Sequence, residues 1–386
     1  MLNFLFANGP ALPTPGLICG PDPTKPEEPG CRQSFCDPDS DNDGFTDRME
    51  TGQVLVDGIN LAGLQANPQR PDIFVEIDWM DLPGDHSHAP DPDGLQLVVD
   101  AFNNSPVQTI VNGQVVSTGI TLHLDTGTDP FNMGGGGPTL AHQDFLSQQN
   151  TLLDSFALFQ AIETIKSDPQ NFDPARRNIF HYSIWAHRLS PGDNRGGASQ
   201  ELFTDDFIVS LGHPQWAQIP DQKVLQACIF MHGLGHCLGL EHGGFQSFPW
   251  GKPNYRSVMN LRYGVQGVDT DCDADTDDKK VDFSAEVLAD IDERMLDENE
   301  GICGNVPIDW NGNMIIEQLT TFVDITCDFF GNCDNFPNIL TGWDDWRGGR
   351  IRLDFQNSRN INVGALGGGG ASADHAKLNC PAVPDP

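Results

Sequence analysis

The chain is 386 residues long and carries 21 Lys+Arg against 55 Asp+Glu, a formal net charge of −34. That balance excludes nucleic acid as a partner, because phosphate neutralisation needs a basic surface, and it disfavours an anionic membrane surface. Hydrophobic content of 38% with 9% aromatics suffices for a packed core, which excludes wholesale disorder, and no run of about 18 apolar residues is present to span a bilayer.

Residues 1–36 are rich in Pro and Gly and read as an extended leader. Their start, MLNFLFANGPALPTPG, lacks a basic stretch and is interrupted by Pro, so it does not read as an export signal. Residues 37–70 open with an acidic loop and read as a calcium-loop segment. The main unit, 71–300, begins with a strand in PDIFVEIDWM and a helical stretch around GLQLVVDAFNN. VVSTGITLHL (115–124) reads as one strand, TDPFNMGGGG as a mobile glycine loop, and 151–166 as a helix. NIFHYSIWAHRL and DDFIVSLG are short, apolar and β-branched or aromatic, as buried strands are. VLQACIFMHGLGHCLGL is apolar on nearly every face and predicts a buried helix. SAEVLADIDERML predicts a last helix, ahead of a Cys/Asp-rich extension (301–355) that ends in a strand, RIRLDF. The tail 356–386, with its GGGG run, reads as flexible. Strands preceding a central helix, with helices flanking them, predict a mixed α/β (α+β) class.

Ten cysteines are too few for a disulfide scaffold in a chain of this length. The close pairs Cys31/Cys36 and Cys327/Cys333 sit in loop-like surroundings and point to a secreted, partly disulfide-linked protein. Cys228 and Cys237, on the predicted central helix, would face opposite sides about 13 Å apart and so read as buried free thiols.

The strongest chemical signal is HGLGHCLGLEH, from His232 to His242. On a helix His232 and His236, at i and i+4, project from one face and can share a metal. Gly239 can end the helix in a left-handed conformation, so that His242 returns as a third nitrogen ligand. Three protein ligands and one open position make the catalytic zinc arrangement. The plain alternative is a buried helix that happens to carry histidines.

A second segment, RSVMNLRYG (256–264), strengthens the metal reading. Together the two resemble the metzincin zinc metallopeptidases, whose pattern is HExxHxxGxxH followed by a Met-containing turn; here Ser257-Val258-Met259-Asn260 matches the turn. The acidic loop before PDIFVEIDWM, HYSIWAH, DDFIVSLG, VDFS and IDWNGN with GWDDW are similar to landmarks of a bacterial secreted, matrixin-like branch, over roughly residues 37–355. The resemblance implies a twisted sheet with a central zinc helix and zinc on His232, His236 and His242. It also implies Met259 beneath the site, and endopeptidase action on an extended peptide laid along a sheet edge. One departure stands out. The position of the family's general base, Glu, is Gly233. A positioned base typically contributes 10²–10⁴-fold, about 3–5 kcal/mol of barrier. Gly233 also costs a helix about 1 kcal/mol relative to Ala. An impaired zinc endopeptidase and an inactive zinc-binding pseudopeptidase both fit, and Glu241 is the nearest substitute base in sequence.

The remaining histidines carry weaker signals. His181 and His187 read as core or surface residues of one strand face, and His86 and His88, in DHSHAPDPD, as solvated turn residues with a secondary metal as the alternative. CGPD (19–22) is a faint match to a zinc-capping cysteine motif.

Of the 55 acids 43 are Asp and 12 Glu, and the short carboxylate suits oxygen-ligand calcium loops. DSDNDGFTDRME fits the twelve-residue EF-hand loop throughout. Asp39, Asp41, Asp43 and Asp47 offer side chains, Phe45 its carbonyl, Glu50 a bidentate carboxylate, and Gly44 the turn. Asp269, Asp271, Asp273 and Asp275 form a weaker alternating set without a turn glycine, and DWNGNMIIE (309–317) a further one. The expected cofactors are therefore Zn2+ and Ca2+, and the expected partner is a peptide or protein substrate.

Overall fold

A computed structural model describes residues 37–149, 155–199, 205–271, 279–302, 306–334 and 336–353. The leader, the tail, CGPD and the Cys31/Cys36 pair lie outside the described residues. After the acidic loop comes a single helical turn, α1 (Asp47–Glu50), and then the longest strand, β1 (Asp72–Leu82), with β2 (His86–Ser87) folding back on its end. Helix α2 (Pro92–Asn103) starts where Asp91 caps the Asp93 N–H and Pro92 supplies a fixed φ.

The stretch expected as one strand, 115–124, is two. Strands β3 (Gln108–Val111) and β4 (Gln114–Thr118) form a hairpin turned by Asn112 and Gly113, both with positive φ. Gly119, at φ 92, then swings the chain into β5 (Thr121–Asp125), which runs parallel to β1. A side chain at 119 would stand 2.1 Å from the Asn103 carbonyl oxygen, so glycine is required for the chain to divide there.

The glycine run expected as a mobile loop is instead clamped. Asp125 accepts from the N–H groups of Gly127, Met133 and Gly135, and Arg176 bridges Asp125 and Glu76 at 2.7 and 2.5 Å. The run then enters β6 (Gly137–Ala141). Helix α3 (Ser155–Lys166), β7 (Phe180–Ala186), β8 (Gly197–Ser199), β9 (Asp206–Ser210) and helix α4 (Gln222–Cys237) follow.

Among the described residues the main sheet has the order β2-β1-β7-β9-β8, with β5 and β6 sharing the far edge of β1. Strands β5, β6, β7 and β9 are parallel neighbours, and β2 and β8 are antiparallel additions. The result is a mixed α/β fold with a multistranded mixed sheet and few helices. Both faces of the sheet are covered, so β1, β7 and β9 are buried almost from end to end, with the polar Glu76, Asp78 and Ser183 among their apolar residues. Ile73, Val75, Ile77 and Trp79 pack with α2 and α4 on one face, and Phe74, Met80, Phe180 and Tyr182 with α3 and Phe45 on the other.

Two expected elements beyond α4 do not form. SAEVLADIDERML is irregular and contains only β10 (Ile291–Asp292), paired with β11 (Ile339–Leu340). Tertiary bonds override its helical pattern. The Ser284 N–H donates to Asp345, and the buried Glu293 carboxylate accepts from the N–H groups of Ile325, Thr326 and Asn338. A helix would turn those partners away. Residues 350–353 of RIRLDF are likewise not a strand; the Arg352 N–H bonds the Leu238 carbonyl at the end of α4.

Cys327 and Cys333 form a disulfide, and Cys228 and Cys237 are buried free thiols. No described helix is long and apolar enough to cross a membrane.

Candidate metal centre

Helix α4 begins where the Asp221 side chain accepts from the Val224 N–H, and it ends at Gly239, at φ 99. The Gly239 N–H bonds the His236 carbonyl and the Leu240 N–H bonds the Gly235 carbonyl, a Schellman ending that reverses the chain. That reversal brings His242 back over the helix. The Nε2 atoms of His232, His236 and His242 lie 3.0, 3.0 and 3.2 Å apart.

The protonation states follow from the other ring nitrogens. His232 Nδ1 donates to the Val258 carbonyl and His236 Nδ1 to the Leu240 carbonyl, each at 2.9 Å. A carbonyl only accepts, so each Nδ1 keeps its hydrogen and each neutral ring presents a bare lone pair at Nε2. Burial pushes all three imidazoles toward the neutral form: His232 is lowered, His236 well lowered, and His242 lowered to about 3 by burial and then by His232. Facing lone pairs 3.0 Å apart repel unless a cation lies between them. Nitrogens bound to one zinc ion at tetrahedral angles would be about 3.3 Å apart, close to the spacing seen here. The donor set fits zinc.

The turn that holds His232 is the one carrying Met259. Met259 is fully buried, and a side chain at Gly235 would stand 2.3 Å from its sulfur, so the glycine lets the turn press against the helix beneath the histidines. Asn260 ties the turn by donating to the Lys252 and Tyr255 carbonyls.

The three histidines open on a cleft of about 730 Å3. Its walls include β8, Trp216, Leu261, and Asp328, Phe330 and Asn332 around the disulfide. Strand β8 is the edge of the main sheet, so it borders the cleft with one side of its backbone unpaired by any described strand.

Gly233 also lines the cleft, but a side chain on it would meet the sheet. A β-carbon there would stand 2.5 Å from the ring of Phe207, a buried residue of β9. The helix therefore accepts the unfavourable glycine in return for close contact with an aromatic ring, a reason invisible in the sequence. Glu241 is not free to stand in as a base: Arg350 holds it at 2.6 Å, and Ser247 also donates to it.

The acidic loop is brought together with one residue that sequence spacing missed. Asp39, Asp41 and Asp43 form one converging group, and Asp43, Glu50 and Asp72 a second that shares Asp43. Asp72 opens β1 and donates its N–H to Asp43, so nothing in the loop motif could have marked it. Both oxygens of Asp41 and both of Glu50 are buried without a partner. Burial, then neighbouring carboxylates, push Asp41 up to about 8 and Glu50 up to about 10. Orphaned carboxylate oxygens in each of two groups joined through Asp43 suit a hard divalent cation such as calcium. Asp47 is placed otherwise, its carboxylate accepting from the Ser40 N–H and hydroxyl. The Phe45 ring packs edge-on against Phe74 and anchors the loop to the sheet.

Asp269 is buried and Asp271 exposed, while Asp273 and Asp275 lie outside the described residues. In 309–317 the Asn311 and Asn313 amides donate to Glu317. His181 is buried with Nδ1 at the Asp205 carbonyl, whereas His187 lies past the end of β7 and meets His86, His88 and His142.

Compared with family models, curated proteins and solved structures, the chain has no match in any of the three.

Proposed function

We propose that this chain is a metzincin-like zinc protein, secreted and calcium-stabilised, that holds extended polypeptides in the cleft over His232, His236 and His242 and hydrolyses them poorly. The observation that carries the reading is the convergence of three half-buried imidazoles on one point, two of them with Nε2 lone pairs fixed by backbone carbonyls. Zinc bound there would polarise a peptide carbonyl and make water more acidic. The rest is the work of the chain itself. Val258 and Leu240 set the tautomers, and Met259 and Gly235 fix the height of the turn under the helix. The free edge of β8 offers backbone N–H and C=O groups to an extended peptide, and the wall formed by Trp216 and Phe330 offers apolar surface to its side chains.

General-base help is what the site lacks. Gly233 carries no carboxylate, and Glu241 is committed to Arg350. Losing a positioned base lowers a rate by about 10²–10⁴-fold. The Phe207 contact at Gly233 also favours the second reading, a zinc-dependent peptide-binding protein without turnover, because the glycine is built into the packing.

Metal analysis of purified protein joined to a casein-cleavage assay with and without chelator tests both readings. One zinc ion per chain lost on mutating His236, with weak chelator-sensitive cleavage by the parent, supports the enzyme; the same loss without any cleavage by the parent supports the binder. Protein that holds no zinc at these histidines overturns both.

A further inference from the structure

Away from the cleft, four more histidines meet. His86 lies on β2 and His88 just after it, His142 directly follows β6, and His187 directly follows β7. They come from four places along 102 residues of chain, yet one ring nitrogen of each lies within 4.8 Å of the others. None of the four lines the cleft. We propose that His86, His88, His142 and His187 form a second metal site, a four-nitrogen cage for a zinc-type divalent cation that ties together the carboxyl ends of β1, β6 and β7.

The geometry is that of a cage rather than of two hydrogen-bonded pairs. His86 Nε2 is 2.9 Å from His142 Nε2, and His88 Nε2 is 3.1 Å from His187 Nδ1. Two separate pairs would account for those contacts alone. All six ring-centroid separations, however, fall between 4.5 and 5.6 Å, so the rings surround one centre with the symmetry of a tetrahedron. A d¹⁰ ion with imidazole ligands prefers that arrangement, whereas copper(II) prefers a tetragonal one.

The surroundings match a bound cation. Asp85 accepts from His86 Nδ1 at 2.9 Å, which fixes that ring with Nε2 facing the centre, as carboxylates behind metal-binding imidazoles do. Asp81 and Asp144 add negative charge near His88 and His187, against Arg188 as the cation beside His187. Gly212 makes room: a side chain there would stand 2.5 Å from His187 Nδ1. The four segments already neighbour one another through the sheet, since the His88 N–H bonds the Met80 carbonyl and β6 and β7 both pair with β1. An ion at this point would cross-link them.

The test uses the full chain and counts zinc after dialysis against micromolar zinc. A His236→Ala variant, which removes the cleft site, is expected to keep about one zinc ion per chain, and to give the intense visible bands of four-coordinate cobalt(II) when cobalt replaces it. Adding His88→Ala and His187→Ala to that variant is expected to abolish both. Should the alanine variants not fold, His142→Gln in the His236→Ala background replaces them, with circular dichroism as the check on folding and loss of the cobalt bands as the expected result. A His236→Ala protein that folds but holds no zinc, or one whose zinc survives loss of His88 and His187, overturns the proposal. Either result stands independently of what the cleft does.

Discussion

The two histidine clusters present similar chemistry and opposite architectures. The cleft triad is carried by one helix and the reversal behind it, from His232 to His242, and its nitrogens are held 3.0–3.2 Å apart by backbone carbonyls. The tetrad is assembled from the ends of β6 and β7 and the β1–β2 return, and Asp85 and the packing of the rings orient it. The triad faces open space; the tetrad closes on itself. If both hold metal, the difference would separate a site that leaves a coordination position for a ligand from one suited to holding strands in register.

The largest effects should come from breaking each cluster separately. His232→Ala with His236→Ala is expected to remove the cleft zinc completely while the tetrad metal remains, checked by zinc content per chain. If loss of the triad empties both, the two clusters are not independent sites.

Next in size is the missing base. Gly233→Glu alone places a β-carbon against the Phe207 ring, and such overpacking should destabilise by about 1–3 kcal/mol, partly offset by the better helix propensity. Combined with Phe207→Ala, which clears the ring, the same Glu should raise casein cleavage by about 10²–10⁴-fold over the parent. Equal cleavage by the double variant and the parent would mean that the zinc helix is not set up for general-base hydrolysis.

The acidic loop gives a pH-dependent contrast to both clusters. Without calcium, burial holds Asp41 up to about 8 and Glu50 up to about 10, above their unfolded values. The folded chain then binds protons that the unfolded chain releases. Its stability is therefore full near pH 4 and falls as pH rises toward those values. Calcium replaces the protons, so the stability gained on adding millimolar calcium, read as a rise in Tm, should be small at pH 5 and larger at pH 8, where it reaches about 2–3 kcal/mol at a hundredfold excess over Kd. A gain that shrinks with rising pH would show that the loop does not bind calcium through these carboxylates.

The smallest expected effect sharpens the account of the tetrad. Asp85→Ala should weaken its metal by about tenfold, the low end for such a supporting carboxylate because the Asp85 side chain is 70% exposed. Competition against a chromophoric chelator measures it, and the cleft affinity should not change.

Legibility followed the range of the contacts. Helix α4 and strands β1, β7 and β9 were readable because burial on both faces leaves segments rich in apolar, aromatic and β-branched residues. The 284–296 stretch misled because its helical spacing is real, but Glu293 and Ser284 serve partners 32 to 61 residues away. The Asn112-Gly113 turn is a local signal for the hairpin, whereas the division at Gly119 rests on its close approach to Asn103.

By itself, the sequence determined the triad and most of the acidic loop. A helical i,i+4 repeat, a terminating glycine and alternating acids fix where those side chains fall within a few residues, and local backbone geometry does the rest. Only the tertiary structure decided that Asp72 joins that loop, that Phe207 demands a glycine at 233, and that His142 and His187 stand beside His86 and His88. Those relations depend on which strand lies beside which. Pairing between strands brings together residues that no spacing along the chain connects.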